Sequence, residues 1–511
     1  MASKEKELEQ AILVEKERGT SDIEIGRKFG VTYKYIEKVI TKSKGINVSG
    51  FKATKQIKIL HPKDFKEEQT SVWSFKQRGN WATHSGEYRG NWSPYIPRNV
   101  ILKYSKPGEI VLDYFCGAGT TAVECKLLGR RCIALDINEK AIELAKRNLD
   151  FSTAPLQLKL IEKDNQYETF EPQVIVGDAR NLSFLKDNSI DLICSHPPYA
   201  NIIQYTDSKD GDLSRLNIDD FLNEMRKVAS ESFRVLKPGR QCAILIGDMR
   251  KHKYVIPLGF KLIDVYLNAG FKLRELVIKR QHNCKTTGFW YTNSIKYNFL
   301  LLAHEYLPIF EKPLVPLVAK EEAPVYTSII SKLIQPALKK RLKELETTTV
   351  WIFPQDDFEK NLDTNVIERY WTNDGYLTIH FSSDASSTMI FPKARKKSRN
   401  SLIYIKADIQ CNDVRNLDIV SYLKNIKSII ENEFNNLNKG GVIGILTNDI
   451  RKENYVIPLG KLITDTINFN NLVLKEIIIV TPDDCKNHSD CIPSQFLRIV
   501  HYYLLIYERK K

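Results

Sequence analysis

Two stretches of this chain combine residue types that could do chemistry: Asp113-Tyr-Phe-Cys-Gly-Ala-Gly-Thr-Thr121 and His196-Pro-Pro-Tyr199, with 74 residues between them. In the first, Gly117 and Gly119 sit where an apolar run gives way to a helical pattern. Glycines at a strand-to-helix junction let the backbone approach a ligand closely. In the second, two prolines fix the backbone and remove two N–H groups. Their carbonyls can then accept hydrogen bonds, and Tyr199 offers a ring face for stacking. Together the two stretches describe a nucleoside-binding loop beside a pocket for a planar amine.

The elements that must hold these loops are legible nearby. Residues 108–113 form a short apolar run suited to a buried strand, and a helix begins at Thr121. A second strand ends at Asp136, where a carboxylate is placed for ribose hydroxyls. A third leads to Gly177-Asp178, where an acid can hold an adenine amino group, and a fourth, Ser189–Ser195, delivers His196. Strands alternating with helices predict an open α/β sheet with ligands at the carboxyl ends of its strands.

The Phe115-to-Thr121 wording resembles the FxGxGTT loop of the amino-methylating (N6-adenine and N4-cytosine) DNA methyltransferases, a class I S-adenosylmethionine-dependent family. His196-Pro-Pro-Tyr199 resembles their (Asp/Asn/Ser)-Pro-Pro-(Tyr/Phe/Trp) motif. The resemblance covers roughly residues 70–313. It implies a Rossmann-like class I methyltransferase sheet, with S-adenosylmethionine contacted by Asp113, Phe115, Cys116, Gly117, Gly119, Thr120, Thr121, Asp136 and Asp178. The catalytic loop would be His196, Pro197, Pro198 and Tyr199, acting on the exocyclic amine of a base flipped from double-stranded DNA. The segment from Trp73 to Pro97 resembles the stretch that closes over the methionine of the cofactor. A restriction or defence partner goes with such families. One position departs from the motif: residue 196 is His. A neutral imidazole can accept a hydrogen bond and a protonated one cannot, so activity is expected to fall at low pH, and Ser195 is an alternative acceptor. The departure leaves adenine N6 and cytosine N4 both open. RNA base methylation is a rival reading, and so is a DNA-binding regulator whose methyltransferase fold does not turn over.

The C-terminal third repeats the first copy. Residues 247–259 align with 448–460 at nine identical positions of thirteen, and Val72-Trp-Ser-Phe-Lys-Gln77 and His304–Lys312 have counterparts at Val350-Trp-Ile-Phe-Pro-Gln355 and His501–Arg509. Matches in the same order indicate duplication. The cofactor loop becomes Phe381-Ser-Ser-Asp-Ala-Ser-Ser387, and the 71-residue step from Thr121 to Leu192 shrinks to 14 between Thr388 and Leu402. A degenerate methyltransferase-like α/β repeat without cofactor or catalysis is expected over 347–511. It would act as a fused second subunit, making the protein a monomer with an internal pseudo-dimer or a weak homodimer, or it would contribute DNA contacts. Arg395, Lys396 and Lys397 lie in a basic run that either touches phosphates or is a solvated loop.

The remaining organisation is a helix-turn-helix over 1–48, a linker over 49–69, the catalytic domain over 70–313 and a second linker over 314–346. Ser21 and Glu24 form a capping-box pattern, Gly30 ends that helix and Thr32 caps the next. Tyr33, Lys34 and Lys38 would then face the major groove, though such units also bind proteins. With 511 residues, a net charge of +14 and a pI near 9.1, the chain suits a polyanionic partner. Nine cysteines without CxxC pairs suggest no zinc site and a reducing compartment. No apolar run reaches membrane-spanning length, so a cytoplasmic protein is expected.

Overall fold

A computed structural model describes residues 2–43, 57, 59–84, 86, 88, 90–151, 169–200, 205–206, 210–282, 287–314, 329–330, 345–372, 375–380, 399–409, 417–483 and 495–510. The basic run around Arg395, Lys396 and Lys397, the replaced loop 381–387 and most of 314–346 lie outside these residues. Contacts divide the chain into two units. One holds residues 1–67 and 77–244; the other holds 68–76 and 245–511. The division at 244/245 falls inside the stretch expected as one catalytic domain.

The first unit opens with three helices, α1 (Ala2–Glu17), α2 (Asp22–Phe29) and α3 (Tyr33–Ser43). Ile12, Ile25, Val31, Tyr35, Ile36 and Val39 form their shared core. The Ser21/Glu24 capping box closes the start of α2, and Gly30, with φ 66°, ends it. The short strand β1 (Val72–Ser74) belongs to the second unit. After α4 (Tyr95–Tyr104) the chain alternates β2 (Ile110–Asp113), α5 (Thr120–Leu127), β3 (Arg131–Asp136), α6 (Glu139–Leu149), β4 (Gln173–Val176), β5 (Ile190–Ser195), α7 (Ile218–Val235) and β6 (Leu236–Ile244). These five strands are parallel, in the order β6-β5-β2-β3-β4. The order reverses between β2 and β5, and this switch point leaves a crevice at the strands' carboxyl ends. Every residue of β5 is buried, whereas the edge strand β4 is mostly exposed, as burial on both faces demands of a central parallel strand.

In the second unit, β7 (Ile246–Gly247) is followed by the hairpin β8 (Met249–Lys251) and β9 (Tyr254–Ile256), α8 (Leu258–Asn268), β10 (Lys272–Arg280), α9 (Thr287–Tyr297) and β11 (His304–Glu311). β1 pairs in parallel with β10, β10 antiparallel with β11, and β11 with β7. The rest comprises β12 (Ile329–Ile330), β13 (Val350–Phe353), α10 (Phe358–Tyr370), β14 (Gly375–His380), β15 (Asn400–Lys406), α11 (Ile419–Phe434), β16 (Leu437–Asn448), the hairpin β17 (Ile450–Lys452) and β18 (Tyr455–Ile457), α12 (Leu459–Thr466), β19 (Leu472–Pro482) and β20 (Tyr502–Arg509). Its seven-stranded sheet runs β12-β14-β15-β16-β20-β19-β13, around Trp351, Tyr404, Ile478 and Leu504. Among the described residues, no helix is long and apolar enough to cross a membrane.

Candidate active site

The two chemical loops leave adjacent strands. β2 delivers Asp113 and the glycine loop, β5 delivers Ser195 and His196-Pro-Pro-Tyr199, and the strands pair directly. Both loops line one open cleft, together with Tyr88, Asn91, Trp92, Asp136, Asp178 and Tyr205.

The glycine loop is shaped by its backbone. Gly117 has φ 49° and Gly119 φ 81°, and Gly119 caps the start of α5. A Cβ on Gly119 would stand 3.0 Å from the Ala145 methyl and 3.3 Å from its Cα, so only glycine lets α5 and α6 approach here. The Asp136 carboxylate accepts from the backbone N–H of Gly117 at 3.0 Å and of Asn138 at 2.9 Å. That locks the loop against the end of β3 and holds a carboxylate at the edge of the cleft.

Of the residues expected to contact the cofactor, Phe115, Cys116, Gly117, Asp136 and Asp178 line the cleft. Asp113, Gly119, Thr120 and Thr121 do not; they build the loop from beneath. Asp113 is 2% exposed and accepts from Ser195 Oγ at 2.6 Å and Phe115 N–H at 3.1 Å. Burial pushes its carboxyl up to about 6, against the pull of those hydrogen bonds. Asp178 is gripped by its neighbour: Arg180 donates through Nε and a terminal nitrogen to both carboxylate oxygens and also reaches Glu224. Burial acts against the ionised Asp178, but the guanidinium outweighs it and holds the carboxyl below its usual range.

On the loop after β5, His196, Pro197 and Pro198 line the cleft. His196 stacks on Trp92, with ring centroids 5.5 Å apart and planes 24° from parallel, and one ring nitrogen lies 2.9 Å from the Tyr199 hydroxyl. Tyr199 is half-buried beside the cleft rather than in its lining. Ala200, which follows it, takes φ 45°, a left-handed conformation that costs an alanine energy and bends the chain sharply after the motif. Ser195 is fully buried, its hydroxyl committed to Asp113 and to the Phe115 N–H. It joins the two loops and does not line the cleft.

Of the segment expected to close the cleft, Tyr88, Gly90, Asn91 and Trp92 line it and Trp73 does not. Trp73 is 1% exposed within β1 of the second unit, where its indole donates to the Thr70 carbonyl. Tyr88 stacks with Tyr205 at 6.0 Å and lies over Gly117, and Asn91 accepts from Thr120 Oγ1 at 2.5 Å. A buried knot anchors this segment to α5. The fully buried Glu124 accepts from Trp81 at 2.6 Å, His84 at 2.7 Å and Arg98 at 2.8 Å. Burial opposes ionisation of Glu124, and these donors overcome it, holding its carboxyl low. The roles of Asn91, Arg180, Tyr205 and Glu124 carry no motif of their own; only the aromatic run around Tyr88 and Trp92 signalled part of this.

Of the residues expected to meet DNA, Tyr33 is exposed at the start of α3. Lys34 and Lys38 lie on α3, with side chains outside the described residues.

A family model described as "DNA methylase" matches residues 5–147 and 190–404, more than half of the chain, and one described as "Methyltransferase domain" matches 105–263. The chain is 34% identical over 88 residues to the type II methyltransferase M.SmaI of Serratia marcescens, covering 17% of this chain and 29% of that protein. It is 32% identical over 114 residues to a tRNA (guanine(10)-N2)-dimethyltransferase of Methanothermobacter thermautotrophicus, covering 22% and 29%. The chain thus spans under a third of the length of these curated relatives. Among solved structures, it is similar to an S-adenosylmethionine-dependent methyltransferase of Methanosarcina mazei at 17% identity, covering 42% of this chain and 98% of that one, with a TM-score of 0.29.

Proposed function

Because the chain belongs to the DNA methylase family, with S-adenosylmethionine as its cofactor, we propose that it methylates the exocyclic amino group of a DNA base, adenine N6 or cytosine N4, flipped out of the duplex. The observation that carries this reading is that the glycine loop and His196-Pro-Pro line one cleft. The cleft suits a nucleoside-bearing ligand. Its glycine floor has no room for a side chain, since a Cβ on Gly117 would come within 3.0 Å of the Tyr88 ring. Asp136 offers carboxylate lone pairs to ribose hydroxyls, and Asp178, held by Arg180, faces the cleft for the adenine end. When bound, S-adenosylmethionine supplies the activated methyl group.

The chain's own residues do the rest. An exocyclic amine is a poor nucleophile because its lone pair is delocalised into the ring. The Pro197 carbonyl and the imidazole of His196 accept from its N–H groups, which favours a tetrahedral nitrogen and stabilises the positive charge that develops on it. A neutral imidazole has one acceptor nitrogen. With the nitrogen facing Tyr199 donating to that hydroxyl, the other carries the ring's acceptor lone pair, the one suited to the base amine. Tyr199 therefore fixes the tautomer, and its ring supports the base by stacking. Trp92, stacked on the opposite partner of this pair, holds the imidazole plane. Positioning supplies much of the acceleration.

The three helices α1–α3, read as a helix-turn-helix, favour duplex DNA as substrate, with α3 as the helix that would enter the major groove. A restriction or defence partner and a cytoplasmic location accord with the type II relatives. The second reading is RNA base methylation, which the likeness to the tRNA dimethyltransferase favours. Transfer of label from the methyl-labelled cofactor to duplex DNA, but not to RNA, followed by nucleoside identification, tests the proposal. Labelled N6-methyladenine or N4-methylcytosine supports it; label on RNA alone overturns it.

A further inference from the structure

Within the second unit, many of the contacts between residues 68–76 or 245–313 and residues 347–511 come in reciprocal pairs; Lys461 with Asp264 is not among them, because Phe260 stands at the repeat position of Lys461. Arg250 reaches the Glu476 carboxylate and the Leu300 carbonyl; Arg451 reaches the Glu275 carboxylate and the Leu497 carbonyl. Glu476 accepts from the Leu300 N–H at 3.0 Å, and Glu275 from the Leu497 N–H at 3.1 Å. Both glutamates are almost fully buried. His304 bonds the Thr349 hydroxyl at 2.9 Å, and His501 bonds the Ser71 hydroxyl at 2.8 Å. Behind each histidine runs the same relay, His304–Tyr306–Asp248 and His501–Tyr503–Asp449. The backbone follows suit, with Thr70 bridged to Arg498 and Leu301 to Thr348. Tyr455 reaches Glu311, and Tyr254 reaches Glu508.

Residue i meeting j′ while i′ meets j is the signature of an isologous twofold interface. We infer that residues 347–511 occupy the face through which residues 68–313 would otherwise pair with a second copy of themselves. The first copy alone carries both halves of each contact: Arg250 with Glu275, His304 with Ser71. Among the side chains that make these bonds the one change, Ser71 against Thr349, keeps the hydroxyl, and Leu301 against Arg498 differs only where the contact is through the backbone. The C-terminal copy is thus an attached partner subunit that caps a self-complementary surface, and the full chain is a monomer with one catalytic cleft. This inference does not depend on the identity of the methylated base.

Two charge exchanges in the full chain test it by sedimentation. Arg250→Glu with Glu476→Arg keeps complementarity inside the chain and should leave a monomer of the same 58.9 kDa as the unaltered protein. Arg250→Glu with Glu275→Arg breaks complementarity inside the chain but preserves it between two first copies. That variant should shift to a dimer. An unaltered chain that self-associates, or a folded Arg250→Glu/Glu275→Arg chain that stays monomeric, overturns the inference. Should that variant fail to fold, the unaltered chain cut at a protease site placed between residues 315 and 328 decides: pieces that stay together one-to-one support it, and pieces that part without denaturant overturn it.

Discussion

Replacing Tyr199 by Phe separates the two roles assigned to that residue. The ring remains to stack, while the hydroxyl 2.9 Å from His196 is lost. A neutral hydrogen bond of this kind contributes about 0.5–1.5 kcal/mol net, or roughly a 2- to 13-fold change in rate. Losing the tautomer lock should cost a further factor of about two, since a neutral imidazole has two tautomers and one of them is unproductive. Tyr199→Ala removes the stacking face as well. Base–aromatic stacking contributes about 1–3 kcal/mol, so this variant should lose on the order of a hundredfold or more. The assay is steady-state methyl transfer to DNA. Both variants should keep the KM for S-adenosylmethionine, because Tyr199 is not in the lining that carries the glycine loop. The reasoning fails if Tyr199→Phe is as damaging as Tyr199→Ala, or if either change acts mainly on the cofactor KM.

Other outcomes follow from the same geometry. His196→Asn keeps an acceptor that does not protonate, so the acid limb of its rate profile should flatten relative to the unaltered enzyme; an unchanged limb would point to Asp113, whose carboxyl burial pushes up to about 6. Glu124→Gln turns a donor toward Arg98 and leaves that buried guanidinium without its carboxylate; thermal unfolding should show a loss of about 3–5 kcal/mol and cofactor titration a raised KM, whereas a loss below about 1 kcal/mol would mean the knot is solvent-screened. Gly119→Ala meets both a left-handed backbone and the Ala145 Cα, so cofactor binding measured by calorimetry should weaken more than tenfold while the α1–α3 unit stays intact. Burial pushes the Asp248 carboxyl up to about 7. The folded state therefore holds a proton that the unfolded chain releases above its ordinary value of 3.8. Stability from this group is present below that value and lost as pH rises toward 7, by a few kcal/mol at most. Denaturant titrations of Asp248→Asn should show that slope removed.

What the sequence made legible was what lies at strand ends. Gly117, Gly119, Asp136 and the His196 loop could be placed because each sits where an apolar run stops, and a parallel sheet brings such points to one edge. Arg180 was not legible: a guanidinium two residues after Asp178 reads equally well as solvated surface, and only the turn geometry folds it back onto both carboxylate oxygens. The Glu124 knot joins residues 26 to 43 positions apart, and linear pattern carries no sign of which buried acid will collect which donors. Ser195 was weighed as an acceptor for the base because it precedes the motif. Its inward position on a fully buried strand commits it to Asp113 instead. The repeat was visible as matching strings, but the reciprocal arginine–glutamate exchange was not, since each pair spans more than 170 residues.

The most direct test of the central claim is sequencing of modified bases in DNA from cells expressing this chain, beside cells expressing Pro198→Ala and Tyr199→Ala variants. The account predicts one recognition sequence carrying N6-methyladenine or N4-methylcytosine, strongly reduced or lost in both variants. Unmodified DNA from cells that accumulate folded, cofactor-binding protein would contradict it.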